Sequence, residues 1–460
     1  MRWMNLGSLM SDHSLNAAQC LPQSSHSPVM PGTQSPWTMT STLYKCLFIL
    51  SVLSFCVPQP SNQDPHPQEP TIEEENPFHR RLAPVNVDFA FRLYKNLISR
   101  GPDKNVFLSP VSISMSMAML SLGVRSTTHI QLLEGLGFNH TKISDLEIHQ
   151  GFQYLIHVFN NSELDLGNIL FLDSQLELME TFMTKIKRYY NAEVFSIDFQ
   201  NSTRAKKQVN DFIKNKTLGK IDQLFKKLDS DTMLVLISYI FFKELFVWEE
   251  ERSREAGRWA KSFDPKDTKM QKFYTSKNVS VDVLMMFQSK RNKYLFDTEL
   301  SCTVVQLEYT GNTTAFFILP DEGKMDQVVA ALSRDTVSRW SQLFQDRYVN
   351  LYIPKFSISE SYDLEDVLRE MGMMDIFSNQ ANLSGITKKT SVKLSEVIHK
   401  AELIINEEGS EISTSPVLKI VLKSYQPDFQ VIKFNRPFLF MVFDHFTWSS
   451  LFLGKITNPI

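Results

Sequence analysis

The polar turn Asp444-His445-Phe446-Thr447-Trp448, the histidine of Val397-Ile-His399-Lys and seven Asn-x-Ser/Thr triplets are the places where residue type and spacing could support chemistry. Trp448 offers a large flat apolar surface with one N–H at its edge. Such a surface suits stacking on a rigid planar body, although in most strands it fills a core. His445 brings an imidazole three residues earlier. Strand alternation sets the two on opposite faces unless the turn between them bends. No Gly-x-Ser-x-Gly elbow, His-Glu-x-x-His pair or Cys-x-x-Cys pair occurs, so no nucleophile or metal pattern is expected. The reading is therefore no enzyme, no cofactor and no metal, with His399 a hydrogen-bonded core residue. The triplets begin at Asn139, Asn160, Asn201, Asn215, Asn278, Asn312 and Asn382 and fit N-linked glycans on a secreted chain.

Two strands must carry the turn. Apolar residues alternate and then run continuously from Phe434 to Phe443 and through Leu451-Phe-Leu453, as in strands buried on both faces of a large sheet. Asn168–Leu172, Ser238–Lys243 and Thr314–Pro320 read as further strands. Val87, Phe89, Ala90, Leu93, Tyr94 and Leu97 line one helical face. Ser109-Pro110 opens, and Gly123 closes, a helix that is small or apolar on nearly every side and so should be buried. Met325–Phe344 reads as one helix carrying Val328, Leu332 and Trp340. Strands and helices mix without βαβ regularity, which gives an α+β class.

The 460 residues, 43% hydrophobic and 22% charged, can bury a substantial core. A net charge of -3 argues against a nucleic-acid partner, which needs clustered Lys and Arg. Residues 1–38 are rich in Ser, Pro, Gln and His and read as an upstream, disordered extension. Met39 begins a new pattern, Lys45 followed by an apolar run from Cys46 to Val57. That is the length of a secretory signal and too short to span a bilayer. The expected organisation is a signal peptide over 39–60, a flexible segment over 61–78 and one domain over 79–460. Of Cys20, Cys46, Cys56 and Cys302, the mature chain keeps the last alone, so no disulfide framework is expected. A secreted, extracellular monomer without stable membrane insertion follows.

Several segments fall in the order of one family. Phe107-Leu-Ser-Pro-Val-Ser, Asn215-Lys-Thr-Leu-Gly-Lys-Ile, Tyr239-Ile-Phe-Phe-Lys, Val397-Ile-His-Lys-Ala-Glu-Leu and the carboxy-terminal strand pair resemble the serpins over roughly residues 79–460. The resemblance implies the α+β serpin fold: a large central mixed β-sheet with two further sheets, about nine helices, and an exposed reactive loop over residues 409–430. It also implies that His399 hydrogen-bonds near Ser109 and Asn168. The chain departs from the family at Glu244–Arg258, where serpins carry a far shorter link.

A serpin inhibitor needs its loop to enter the central sheet as a strand after cleavage. Here Glu408-Gly409-Ser410-Glu411 is followed by Ile412-Ser-Thr-Ser-Pro416, where inhibitory members have small residues. Ile412 is bulky where the loop must slide, and Pro416 lacks the N–H of a ladder bond. By family spacing Lys423 would face a protease, with Ser424 after it; Val417, Ile420 and Val421 offer elastase-type bonds. A finer resemblance, to a steroid-carrying serpin, runs through Asn86-Val-Asp-Phe-Ala-Phe91, Ala330-Ala-Leu-Ser-Arg-Asp-Thr336, Asn350-Leu-Tyr-Ile-Pro-Lys355 and Phe443–Trp448. It implies a steroid slot in which Trp448 stacks on the rings. Gln306 and Ser338 would bond ligand oxygens, and Arg334 would donate to one or close the mouth. Phe443, His445 and Val337 would lie beside the ligand, with Ala83 and Val87 as an apolar wall. Ser338 departs from the Asn or Asp usual at that position. The implied function is a secreted, non-inhibitory carrier of glucocorticoids and progestins (cortisol, corticosterone, progesterone) that releases hormone when a protease cuts the loop. The alternatives are an inhibitor of trypsin-like enzymes with Lys423-Ser424 as bait, and a serpin with neither activity.

Overall fold

A computed structural model describes residues 78–138, 142–162, 164–217, 219, 221, 223–242, 258–309, 312–389, 392–408 and 429–460. The chain divides into Met1–Glu75 and Asn76–Ile460, and the described residues all belong to the second unit. The upstream extension and signal, Asn139, the inserted stretch up to residue 257 and the loop positions Gly409, Ser410, Glu411, Ile412, Pro416, Val417, Val421, Lys423 and Ser424 lie outside them.

In chain order the elements are α1 (Phe78–Ser99), β1 (Val106–Leu108), α2 (Pro110–Ser121), α3 (Ser126–Leu136), α4 (Asp145–Asn160), β2 (Leu164–Asp173), α5 (Glu180–Tyr190), β3 (Glu193–Ile197), α6 (Ser202–Lys216) and β4 (Leu234–Phe242). They continue with β5 (Lys269–Ser276), β6 (Val279–Asp297), β7 (Cys302–Glu308), β8 (Thr313–Pro320), α7 (Met325–Ala331), α8 (Arg334–Leu343), β9 (Gln345–Pro354), β10 (Phe356–Asp363), α9 (Glu365–Glu370), β11 (Glu396–Ile405), β12 (Gln430–Lys433), β13 (Phe438–Asp444) and β14 (Ser450–Ile456). The described residues thus hold nine α-helices.

One sheet has five strands in the order β10-β11-β4-β2-β3. It is mixed: β11 runs parallel to β4, with Glu396 opposite Val235 and Ala401 opposite Ile240, while β2 runs antiparallel to β4. The remaining strands form a nine-stranded path, β1-β14-β13-β8-β7-β6-β9-β12, with β5 on β6. The two further sheets join here because β6, 19 residues long, pairs with β5, β7 and β9 in turn. Between the sheets lies α2, touching β2 and β4 on one side and β14 on the other. All of its residues are buried. Ser109 caps it by accepting the Ser112 N–H, and Pro110 occupies its first turn, where a missing N–H costs nothing.

One expectation is corrected and one is met. Met325–Phe344 is two helices, because Leu332 takes ψ 124 and Ser333 φ -160. The Ser333 hydroxyl accepts the Thr336 N–H at 3.1 Å, so a side-chain cap displaces the continuing backbone ladder. His399 is fully buried and its Nε2 accepts the Ser109 N–H at 3.0 Å. Its Nδ1 pairs with Ser238 Oγ at 3.0 Å, and with Nε2 an acceptor, Nδ1–H must donate. Ser238 is the register partner of Asn168, so His399 hydrogen-bonds beside Ser109 and Asn168 as expected, although the Asn168 side-chain amide itself makes no bond. Burial pushes His399 down to about 3, so it stays neutral and structural.

Candidate functional site at the β13–β14 turn

Strands β13 and β14 are buried at every position, so their polar connection must satisfy itself. Asp444 Oδ1 accepts both the N–H and the hydroxyl of Thr447 at 2.6 Å, and the Asp444 N–H donates to the Ser449 carbonyl at 3.0 Å. Burial raises the Asp444 carboxyl above its ordinary value, against the lowering effect of the Thr447 bonds. Inside this knot Trp448 is half-buried with φ +59, a left-handed conformation uncommon for a bulky side chain. A register shift between Val442 and Phe443 adds to the bend. The turn is therefore bent, which is the condition under which strand alternation no longer sets His445 and Trp448 on opposite faces.

His445 is half-buried. Its N–H donates to the Asn312 carbonyl at 2.7 Å, and its Nε2 pairs with the Thr314 hydroxyl. Burial lowers its pKa, opposed by Asp444 and Glu308 and helped by Lys293. Phe443 is buried and lies edge-on to Phe316, centroids 5.9 Å apart; Phe316 in turn stacks at 5.8 Å on Phe344, the residue after α8. Gln306 is 7% exposed and donates through Nε2 to Glu308 Oε1 at 3.3 Å. The Lys293 ammonium reaches the same oxygen at 2.7 Å.

Register explains this grouping. Lys293 stands opposite Gln306, Glu308 opposite Thr314, and Thr314 opposite Phe443. Directly opposed residues share a face, and Gln306 and Glu308 are two apart, so one sheet face carries Lys293, Gln306, Glu308, Thr314 and Phe443, joined by His445. Lys293, Glu308 and Thr314 escaped the sequence reading. Alternation along β7 from Gln306 was the signal that could have found Glu308. A recess of about 160 Å³ beside Gln306 and Glu308 is smaller than the roughly 300–1,000 Å³ of ligand pockets.

The remaining expected residues form a helix pair. Ala83, Val87 and Val337 are buried, Ser338 is half-buried and Arg334 exposed. Helices α1 and α8 touch, and Arg334 lies 3.9 Å from Asp88 across that contact, a solvated pairing. The Ser338 carbonyl accepts the Ser341 hydroxyl at 2.6 Å. What locks α8 to the sheet is Asp297 at the end of β6. It receives Arg339 at 2.6 and 3.3 Å and the Trp340 indole N–H at 2.6 Å. Burial would raise the Asp297 carboxyl, but these bonds outweigh it and hold the group below its ordinary value.

Of the described asparagines that open Asn-x-Ser/Thr triplets, Asn160, Asn201, Asn215, Asn278 and Asn312 are exposed. Asn201 caps α6, its Oδ1 accepting the Arg204 N–H at 3.2 Å. Asn382 is half-buried, and its Nδ2 donates to Ser126 Oγ at 3.3 Å.

Two packed sheets around a buried helix, an uninterrupted five-stranded sheet and a carboxy-terminal strand pair define a class. Residues 84–459 match the family described as Serpin (serine protease inhibitor), and the chain belongs to it. Corticosteroid-binding globulin of Homo sapiens is 49% identical over 426 residues, 92% of this chain and 100% of that one. The protein of the same name from Mus musculus is 43% identical over 428 residues, again 92% and 100%. Among solved structures, thyroxine-binding globulin in complex with thyroxine superposes with a TM-score of 0.74 at 39% identity, covering 82% of this chain and 99% of that one.

Proposed function

We propose that the chain is a secreted, non-inhibitory serpin that carries glucocorticoid or progestin steroids and releases them when a protease cuts its reactive loop. The observation that carries this reading is the bent turn. Trp448 is held at φ +59 within the turn that Asp444 ties, and His445 of the same turn bonds Thr314. A planar ring system can stack on the indole, and directed polar groups can meet its edge oxygens. Gln306, Ser338 and Arg334 are the groups offered for those oxygens, and Ala83, Val87, Val337 and Phe443 the apolar walls. The names of the relatives support the ligand class, and the likeness to a thyroxine complex supports hormone carriage by this fold. No helix among the described residues is long and apolar enough to cross a membrane.

The test is titration of purified glycoprotein with cortisol and progesterone, following quenching of tryptophan fluorescence. Saturable quenching that disappears in Trp448→Ala is expected. Folded protein that binds neither steroid would remove the reading. Against inhibition, an equal amount of trypsin should cut the chain without leaving an SDS-stable complex.

A further inference from the structure

We propose that the cleft between α5 and the outer edge of β3 binds a single-chain amphipathic carboxylate, at a site separate from the Trp448 turn. Strand β3 ends the five-stranded sheet, and α5 leaves beside it a cleft of about 460 Å³, within the range of small-molecule sites. The floor is apolar: Ile186 and Ala192 are 1% and 5% exposed, and Val194 and Phe195 are half-buried along the wall. Phe195, the next residue, turns its ring to the other face of the strand, 4.3 Å from that of Phe212 and 5.6 Å from that of Phe171, and so anchors the edge of β3 that borders the cleft. Met183 lines the mouth and is 37% exposed, an adaptable apolar surface.

Charge selects the head group. Glu193 at the rim is neutralised by Lys216 at 2.6 Å. Lys187, on the same rim, is exposed, and its ammonium has no ion pair or side-chain hydrogen bond among the described residues. Arg188 adds positive charge in the last turn of α5. The carbonyls of Ile186 and Lys187 already accept the N–H groups of Ala192 and Asn191, so they do not ask for a donor in the cleft. An alkyl tail would bury itself on the floor, and its carboxylate would meet Lys187. A cationic head would be repelled, and an alcohol would gain only the tail.

The test is calorimetric titration of decanoate, decanol and decyltrimethylammonium into cortisol-saturated protein and into Trp448→Ala protein, so that the steroid slot does not contribute. Decanoate is expected to bind one saturable site in both, at least tenfold tighter than the ammonium compound. Lys187→Glu should weaken it at least tenfold. Met183→Trp, made at an exposed position, should block the mouth with the unfolding temperature unchanged. Absent saturable uptake, equal affinity for the cationic amphiphile, or affinity unmoved by both substitutions would each overturn the proposal.

Discussion

Trp448 occupies a backbone conformation that costs of order 1–3 kcal/mol unless its surroundings fix it, and Asp444 is what fixes it. Replacing Asp444 with Ala would leave the Thr447 N–H buried without its acceptor, at about 1–3 kcal/mol, while the Thr447 hydroxyl keeps Ser449 Oγ at 2.9 Å. Unfolding free energy should fall by about 2 kcal/mol, and cortisol affinity should weaken at least tenfold. Asp444→Asn, which keeps one acceptor oxygen, should recover part of both. Unchanged affinity in the alanine variant would show that the turn geometry is not what the ligand reads. The sequence made the requirement for a bend visible, since His445 and Trp448 are an odd number apart. It hid the means, because nothing about a tryptophan announces a positive φ, and glycine, the usual sign, is absent from the turn.

Buried histidines carry a second prediction at this scale. Burial pushes His149 down to about 4, while its Nδ1 pairs with the Tyr190 hydroxyl at 2.6 Å. Below pH 6.5 the unfolded chain takes up a proton that the folded chain refuses, so this stability is present above about pH 6.5 and lost toward pH 4. Glu396 works in the opposite sense. Burial raises it to about 7, so folding gains as pH falls from 7. Overall stability therefore mixes both trends, and the informative quantity is a difference between variants. Urea midpoints of wild type should fall relative to those of His149→Gln as pH drops from 7 to 4.5. A constant gap would show that His149 takes up its proton as readily in the fold as in the unfolded chain.

At the scale of elements, helix α8 is positioned by one carboxylate. Asp297 holds Arg339 and Trp340, and its side chain is 1% exposed; the arginine is partly solvated, which weakens the pair's net worth. Arg339→Ala should cost about 2 kcal/mol, below the 3–5 kcal/mol of a fully buried pair. At about 2 °C per kcal/mol for a chain of this size, the melting temperature should drop by about 4 °C in calorimetry. Cortisol affinity should fall with it if α8 forms a wall of the slot. A variant that melts normally would show α8 held by its apolar face alone. The helical period of 325–344 was plain in the sequence, and the break was not. Ser333 sits in a pattern that Val328, Leu332 and Trp340 continue across, so only its side-chain cap distinguishes the end of one helix from the middle of a longer one. Lys293 and Glu308 were invisible for another reason: strand register depends on the partner strand, which no local pattern reports.

For the molecule as a whole, motif order was enough to identify the architecture, but not the state of its five-stranded sheet. In the structure β4 and β11 are direct parallel neighbours over six residue pairs, so no further strand lies between them. A cleaved loop that entered the sheet between β4 and β11, the strand that leads into it, would have to separate them. An inserted strand making about ten ladder bonds at roughly 1 kcal/mol each would add about 10 kcal/mol. That corresponds to a rise in melting temperature of about 20 °C. Pro416 removes one donor and Ile412 adds bulk, so Pro416→Ala should raise the cleaved form further while leaving the intact protein unchanged. Cutting at Lys423-Ser424 with trypsin, then measuring calorimetric unfolding and cortisol titration on the same sample, separates two properties. A large rise with weakened steroid binding is the expected result, since insertion repacks the sheet beneath α2 and the strands that α2 touches. A cleaved protein that melts as before would mean the loop stays out of the sheet. One that melts higher yet binds cortisol equally well would uncouple insertion from release, leaving a carrier without a proteolytic trigger.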